Sequence, residues 1–115
     1  MKVTRFADAK PYAAPNHFDM CSLRLQGLEA GGPEHFWTGL SHFLPGGGAG
    51  PDASPRERVY VVLAGELTVT VGGETAVLRA MDSCFIPGNE MRAIRNDGNQ
   101  VVTMLVVMPN AELAQ

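Results

Sequence analysis

Apolar and polar residues alternate with a period of two along most of the chain, and helical periodicity is nearly absent. In Cys21-Ser22-Leu23-Arg24-Leu25-Gln26 the alternation runs until Gly27 and predicts a half-buried strand. Phe36 to Leu44 is a second predicted strand, closed by Pro45-Gly46-Gly47-Gly48. Arg58 to Leu63 is rich in β-branched and aromatic residues and ends at Ala64-Gly65. Leu67 to Val71 and Glu74 to Leu78 flank Gly72-Gly73, a pair able to take positive φ, which predicts a tight hairpin. Ser83 to Ile86 runs into Pro87-Gly88, and Met91 to Arg95 runs into Asn96-Asp97-Gly98-Asn99. Gln100 to Met108 is a long apolar strand stopped by Pro109. Short strands separated by turns roughly every ten residues predict an all-β sandwich or barrel. Ala111 to Gln115 favours helix but is too short to hold one alone.

The length of 115 residues fits one domain with one core. It divides into N-terminal strands and connectors (1–35), a barrel core (36–109) and a tail (110–115). The 13 Gly and 8 Pro supply the corners that many short strands require. Only 18% of residues are charged and the net charge is -3, without a Lys/Arg cluster, so neither a nucleic-acid nor a membrane partner is expected. The first residues carry no apolar stretch after their positive charge, and the expected location is cytoplasmic. Cys21 and Cys84 lie far apart with no metal-type spacing and read as reduced, buried small hydrophobes. The Pro/Gly-rich segment from Pro45 to Pro55 lacks the Gly-Lys-Ser/Thr ending of a phosphate loop. It reads as a connecting loop or as part of a ligand-binding rim.

Two spacings carry a family signature. Gly46, Asp52, Ser54, Arg58 and Gly65 fall on the spacing G-x5-H-x-H-x3-E-x6-G, and Met81, Pro87, Asn89, Arg92 and Asn96 on G-x5-P-x-G-x2-H-x3-N. In these spacings, and in Val62-Leu63-Ala64-Gly65 and Asp82 to Pro87, the chain resembles the cupin superfamily of small jelly-roll barrels. The resemblance covers about the latter two-thirds of the chain. It implies an all-β, double-stranded β-helix barrel and, by family habit, a homodimer paired through N-terminal strands and sheet faces.

The resemblance also implies four metal ligands, but those positions hold Asp52, Ser54, Arg58 and Arg92. A guanidinium offers no lone pair and repels a cation, so no metal and no cofactor are expected. Asp52, Glu57 and His42 form the one rearranged ligand set that would reopen a metal-dependent enzyme. Arg58 on the inner face of its strand implies Tyr60 and Val62 there too. The expected binding site therefore contains Arg58, Arg92, Asp52, Ser54, Tyr60 and, from the preceding strand, His42. Buried guanidinium groups demand partners. Either Asp52 or Glu57 pairs with Arg58 or Arg92 inside the barrel, or the arginines fork onto a small carboxylate, phosphate or sugar-acid ligand.

Three functions stay open: a metal-free binding protein for a small organic anion; a metal-independent isomerase or lyase acting on an acidic carbohydrate or ketoacid; and the rearranged metal enzyme. The resemblance implies for Tyr60 the role of a catalytic acid, which a tyrosine has in some metal-free sugar-epimerase relatives of this fold, though core tyrosines are common in barrels. His17 and His35, in polar surroundings, read as surface residues.

Overall fold

A computed structural model describes residues 1–110, so the helix-favouring tail at 111–115 lies outside the described residues. Nine strands form: β1 (Lys10–Tyr12), β2 (His17–Gln26), β3 (Phe36–Ala53), β4 (Arg58–Ala64), β5 (Leu67–Val71), β6 (Glu74–Leu78), β7 (Ser83–Ile86), β8 (Met91–Arg95) and β9 (Val102–Pro109). All pairings are antiparallel, in the order β6-β5-β8-β3-β9-β4-β7, with β2 on β3 and β1 on β2. The sheet curls into a nearly closed jelly-roll barrel.

β3 is the strand that makes this possible, and it corrects the sequence reading. The segment from Pro45 to Pro55, expected as a loop, continues β3 as far as Ala53. The first half, Phe36 to Phe43, pairs with β9; after a bend, Gly48 to Ala53 pairs with β8 instead. One strand thus belongs to both halves of the barrel. The bend rests on glycine: Gly46 has φ 85°, and a Cβ on Gly47 or Gly48 would collide with the carbonyls of Asp19 or Ile94. Gly and Pro here mark close backbone approach within a sheet rather than departure from it.

Phe43, Val62, Leu67, Ile86, Val102 and Met104 are fully buried and form the centre of the core. Asn96 sits among them, 1% exposed, and donates from Nδ2 to the carbonyls of Phe43 (3.0 Å) and Gln100 (2.7 Å). Its Oδ1 accepts from the Gly98 amide, so one side chain clips the β8–β9 turn to β3. Among the described residues, no helix is long and apolar enough to cross a membrane.

The face of β2 is also a correction. Its alternation places Ser22 and Arg24 inside the barrel, while Cys21 is exposed and Leu23 half-buried on the outside. Polar residues point inward because this end of the barrel is not a dry core. Its wall surrounds a cavity.

Candidate functional site

The cavity has a volume of about 480 Å³, within the range of small-molecule sites. Strand register arranges its wall in rows. Arg24, Gly39, Val106 and Tyr60 stand side by side across β2, β3, β9 and β4. Ser22, Ser41, Met104 and Val62 form the next row inward. Asp52 and Arg92 are register partners on β3 and β8. Asp52, Ser54, Arg58, Tyr60 and Arg92, five of the six expected site residues, line this one cavity.

His42 does not. It alternates with the buried Ser41 and Phe43, so its ring lies on the outer face, edge-on to Phe6 with 6.0 Å between ring centroids. The apolar neighbours Leu40 and Leu44 suggested an inward face, but the β3–β9 register puts Ser41 and Phe43 inside instead. His17, expected at the surface, takes a place in the cavity wall with Arg24 and Trp37. Pairing of His17 with Ala49 on the far half of β3 brings it there. The distance between His17 and the motif residues in the chain hid this role.

The two arginines at the motif positions are almost fully buried, Arg58 at 4% exposure and Arg92 at 6%. Arg58 donates from Nε to the Tyr60 hydroxyl and from Nη1 to the Arg56 carbonyl, each at 3.2 Å. Its Nη2, and both Nε and Nη1 of Arg92, are buried without a hydrogen-bond partner among the described residues. The expected internal ion pair is not formed: among the described residues neither arginine pairs with Asp52 or Glu57. Asp52 Oδ1 instead accepts from the Ala53 amide, and Glu57 is exposed. Three unpaired donors on two buried cations is an expensive arrangement for a protein interior.

His17 adds a titratable group beside them. Its Nδ1 lies 2.8 Å from the Pro15 carbonyl, which can only accept, so Nδ1 carries the proton and Nε2 keeps its lone pair in the neutral ring. Burial lowers its pKa below the usual histidine value, the Pro15 hydrogen bond opposes this, and the positive charge of Arg92 and Arg58 adds to the lowering. On the opposite wall, burial raises the pKa of Tyr12. Cys84, half-buried behind Tyr60, is likewise pushed up by burial and is not an activated thiol.

The positions at which the motif spacing implies metal ligands do not fit a divalent cation. Arg58 and Arg92 offer N–H donors, not lone pairs, at two of the four positions, and both carry a positive charge beside the cavity. The rearranged set is not assembled either, because Glu57 is exposed and His42 lies on the outer face, away from Asp52.

Comparison with known proteins agrees with the architecture. The chain is 47% identical over 116 aligned positions to a protein of Mycobacterium tuberculosis named β-D-galactosidase, covering 99% of this chain and 100% of that one. The fold superposes on a polyketide cyclase from Streptomyces resistomycificus with a TM-score of 0.83 at 23% identity, covering 95% of this chain and 79% of the other. A sugar phosphate isomerase of the cupin superfamily from Silicibacter pomeroyi gives a TM-score of 0.79 at 19% identity, over 96% and 76% of the two chains. At these identities the two structures bear on the fold alone. Residues 39–108 match the Cupin domain family, the span that holds both motif spacings and most of the barrel wall, and the chain belongs to that family.

Proposed function

We propose that this cupin binds a galactoside-type sugar carrying an anionic group, with the carboxylate or phosphate held by Arg58 and Arg92. The observation that carries the reading is the set of buried guanidinium nitrogens, unpartnered among the described residues, on two arginines that both line one cavity. Guanidinium forks match carboxylate and phosphate geometry, and a bound anion would satisfy donors that the fold leaves open. The sugar part rests on the full-length similarity to the mycobacterial protein named β-D-galactosidase. Tyr60, Ser54 and Asp52 supply hydroxyl and carboxylate groups for ring hydroxyls, and Trp37 supplies an apolar wall. Calorimetry with D-galacturonate, galactose 1-phosphate and D-galactose tests it. Binding of the acids but not of neutral galactose, lost in Arg92→Met, is the expected result. Absence of binding by every anionic sugar would overturn the proposal.

A second reading, hydrolysis of β-D-galactosides, is favoured by the same similarity. Glycoside hydrolysis ordinarily uses two carboxyl groups flanking the scissile bond. Asp52 is the one carboxylate lining this cavity among the described residues, so hydrolysis here pairs it with another proton carrier, for which His17 and Tyr60 are titratable neighbours. Release of nitrophenol from a nitrophenyl β-D-galactoside, abolished by Asp52→Asn, is the expected outcome; no turnover leaves the binding reading alone.

The proposal includes a homodimer. Leu23, Leu40, Leu105 and Val61 form a continuous apolar row across the outer face of β2, β3, β9 and β4, and each is only half-buried. Sedimentation showing only monomer at micromolar concentration would remove this element.

A further inference from the structure

The cavity is cationic well beyond what one carboxylate can neutralise. Among the described residues four arginines, Arg24, Arg56, Arg58 and Arg92, line it with one carboxylate, Asp52. Glu29 pairs with Arg24 from outside the lining, which leaves three arginines against Asp52 in a chain whose net charge is -3. A concave, low-dielectric surface of one sign concentrates ligands of the opposite sign.

Arg24 stands apart from the other three. It projects from β2, on the far side of the wall from β4, with Gly39 and Val106 between it and Tyr60. Three interstrand steps of about 4.8 Å separate the two ends, roughly 14 Å along the curved wall. Its guanidinium carbon lies 3.7 Å from the Tyr12 ring centroid and 4.3 Å from that of Trp37, so two aromatic faces fix its plane. Gly39 makes room for this stack, because a Cβ there would meet the Tyr12 hydroxyl and the Trp37 ring. Nε donates to Glu29 at 2.9 Å, and this bond holds the Glu29 carboxyl below its usual pKa. Nη1 is buried and has no partner among the described residues. The side chain is held rigidly, is 10% exposed, and still keeps a donor open.

We infer that Arg24 is a second anion-binding pole, and that the cavity takes a ligand with two separated acidic groups, one on Arg58–Arg92 and one on Arg24. Such a ligand is a polyhydroxylated dicarboxylate or a sugar acid with a second acidic substituent. The inference rests on the anionic-sugar reading and narrows it.

Calorimetric titration with D-galactarate, which carries a carboxylate at both ends, and D-galacturonate, which carries one, separates the two claims. The expected result is galactarate binding about tenfold tighter than galacturonate. In Arg24→Gln this preference for galactarate over galacturonate disappears. Equal affinities in the unaltered protein, or a preference that survives Arg24→Gln, would overturn the second pole and leave the first intact. Failure of both acids to bind would overturn both claims. Because Arg24 is packed between rings, Glu29→Gln provides an arm whose substituted side chain is itself exposed. Freeing Arg24 from its carboxylate is expected to raise galactarate affinity several-fold and leave galacturonate unchanged; no change in galactarate affinity would count against the pole.

Discussion

Arg92, near the start of β8, and Asn96, just past its end, lie four residues apart, and both are buried polar residues on positions of a cupin motif spacing. Asn96 meets its hydrogen-bonding needs inside the protein, with two carbonyls and one amide as partners. Arg92 lines the cavity, and its Nε and Nη1 are buried without a partner among the described residues. The difference separates two uses of buried polarity. A satisfied group stabilises and specifies the fold; an unsatisfied one costs stability and is retained where something else completes it. Arg58, with one open nitrogen, and Arg24, with another, fall on the side of Arg92.

The contrast breaks most sharply at Arg92. Arg92→Met is expected to weaken binding of an anionic sugar by about 2–5 kcal/mol, because its loss removes a buried partner of the ligand's charge. In the ligand-free protein the same substitution leaves the thermal midpoint unchanged or raised, since an unpartnered cation gives way to an apolar side chain. A large fall in ligand-free stability would show that Arg92 holds the fold and erase the distinction.

Asn96→Ala is expected to act in the reverse sense. Two buried carbonyls and one amide lose their partner, costing about 1–3 kcal/mol in urea unfolding. The folded fraction should bind anionic sugar as the unaltered protein does. Loss of binding at full folding would join the two sites that the structure keeps separate.

His17 provides the smallest effect. Its pKa is lowered by folding, so the unfolded chain takes up the proton first as the pH falls. Its favourable contribution is complete above the ordinary histidine range and declines as the pH drops below it. Unfolding midpoints at pH 7.5 and 5.0 should differ less in His17→Gln than in the unaltered protein (buffer values chosen to bracket histidine titration). The ligand is expected to oppose this decline, because an anion on Arg58 and Arg92 favours protonated His17. An unaltered pH response in His17→Gln would place the histidine outside the electrostatics of the cavity.

Much of the barrel was legible in the sequence. The two-residue period located β4 to β9 closely, Gly72-Gly73 turned the β5–β6 hairpin, and the motif spacing identified the fold. Once the family spacing put Arg58 on the inner wall, the inward face of Tyr60 and Val62 followed from alternation, since one buried position fixes every second neighbour. β2 resisted the same argument. Alternation revealed a strand there but not which face looked inward, and Cys21, expected to be buried, is exposed while Ser22 and Arg24 are buried. The rule fails wherever a strand faces a polar cavity. His42 failed for a related reason, because apolar residues occupy both of its flanking faces and only the β9 pairing chooses between them.

The sequence by itself determined the strands, their turns and the presence of arginines where the family spacing implies metal ligands, because these depend on local periodicity and fixed intervals. Tertiary structure decided what those arginines have for company. Partners are a matter of distance in space. Pairing of β2 with both halves of β3 brought His17 and Arg24 to the wall, and the β3–β9 register turned His42 outward. Donors of Arg24, Arg58 and Arg92, all lining one cavity, were left without partners among the described residues.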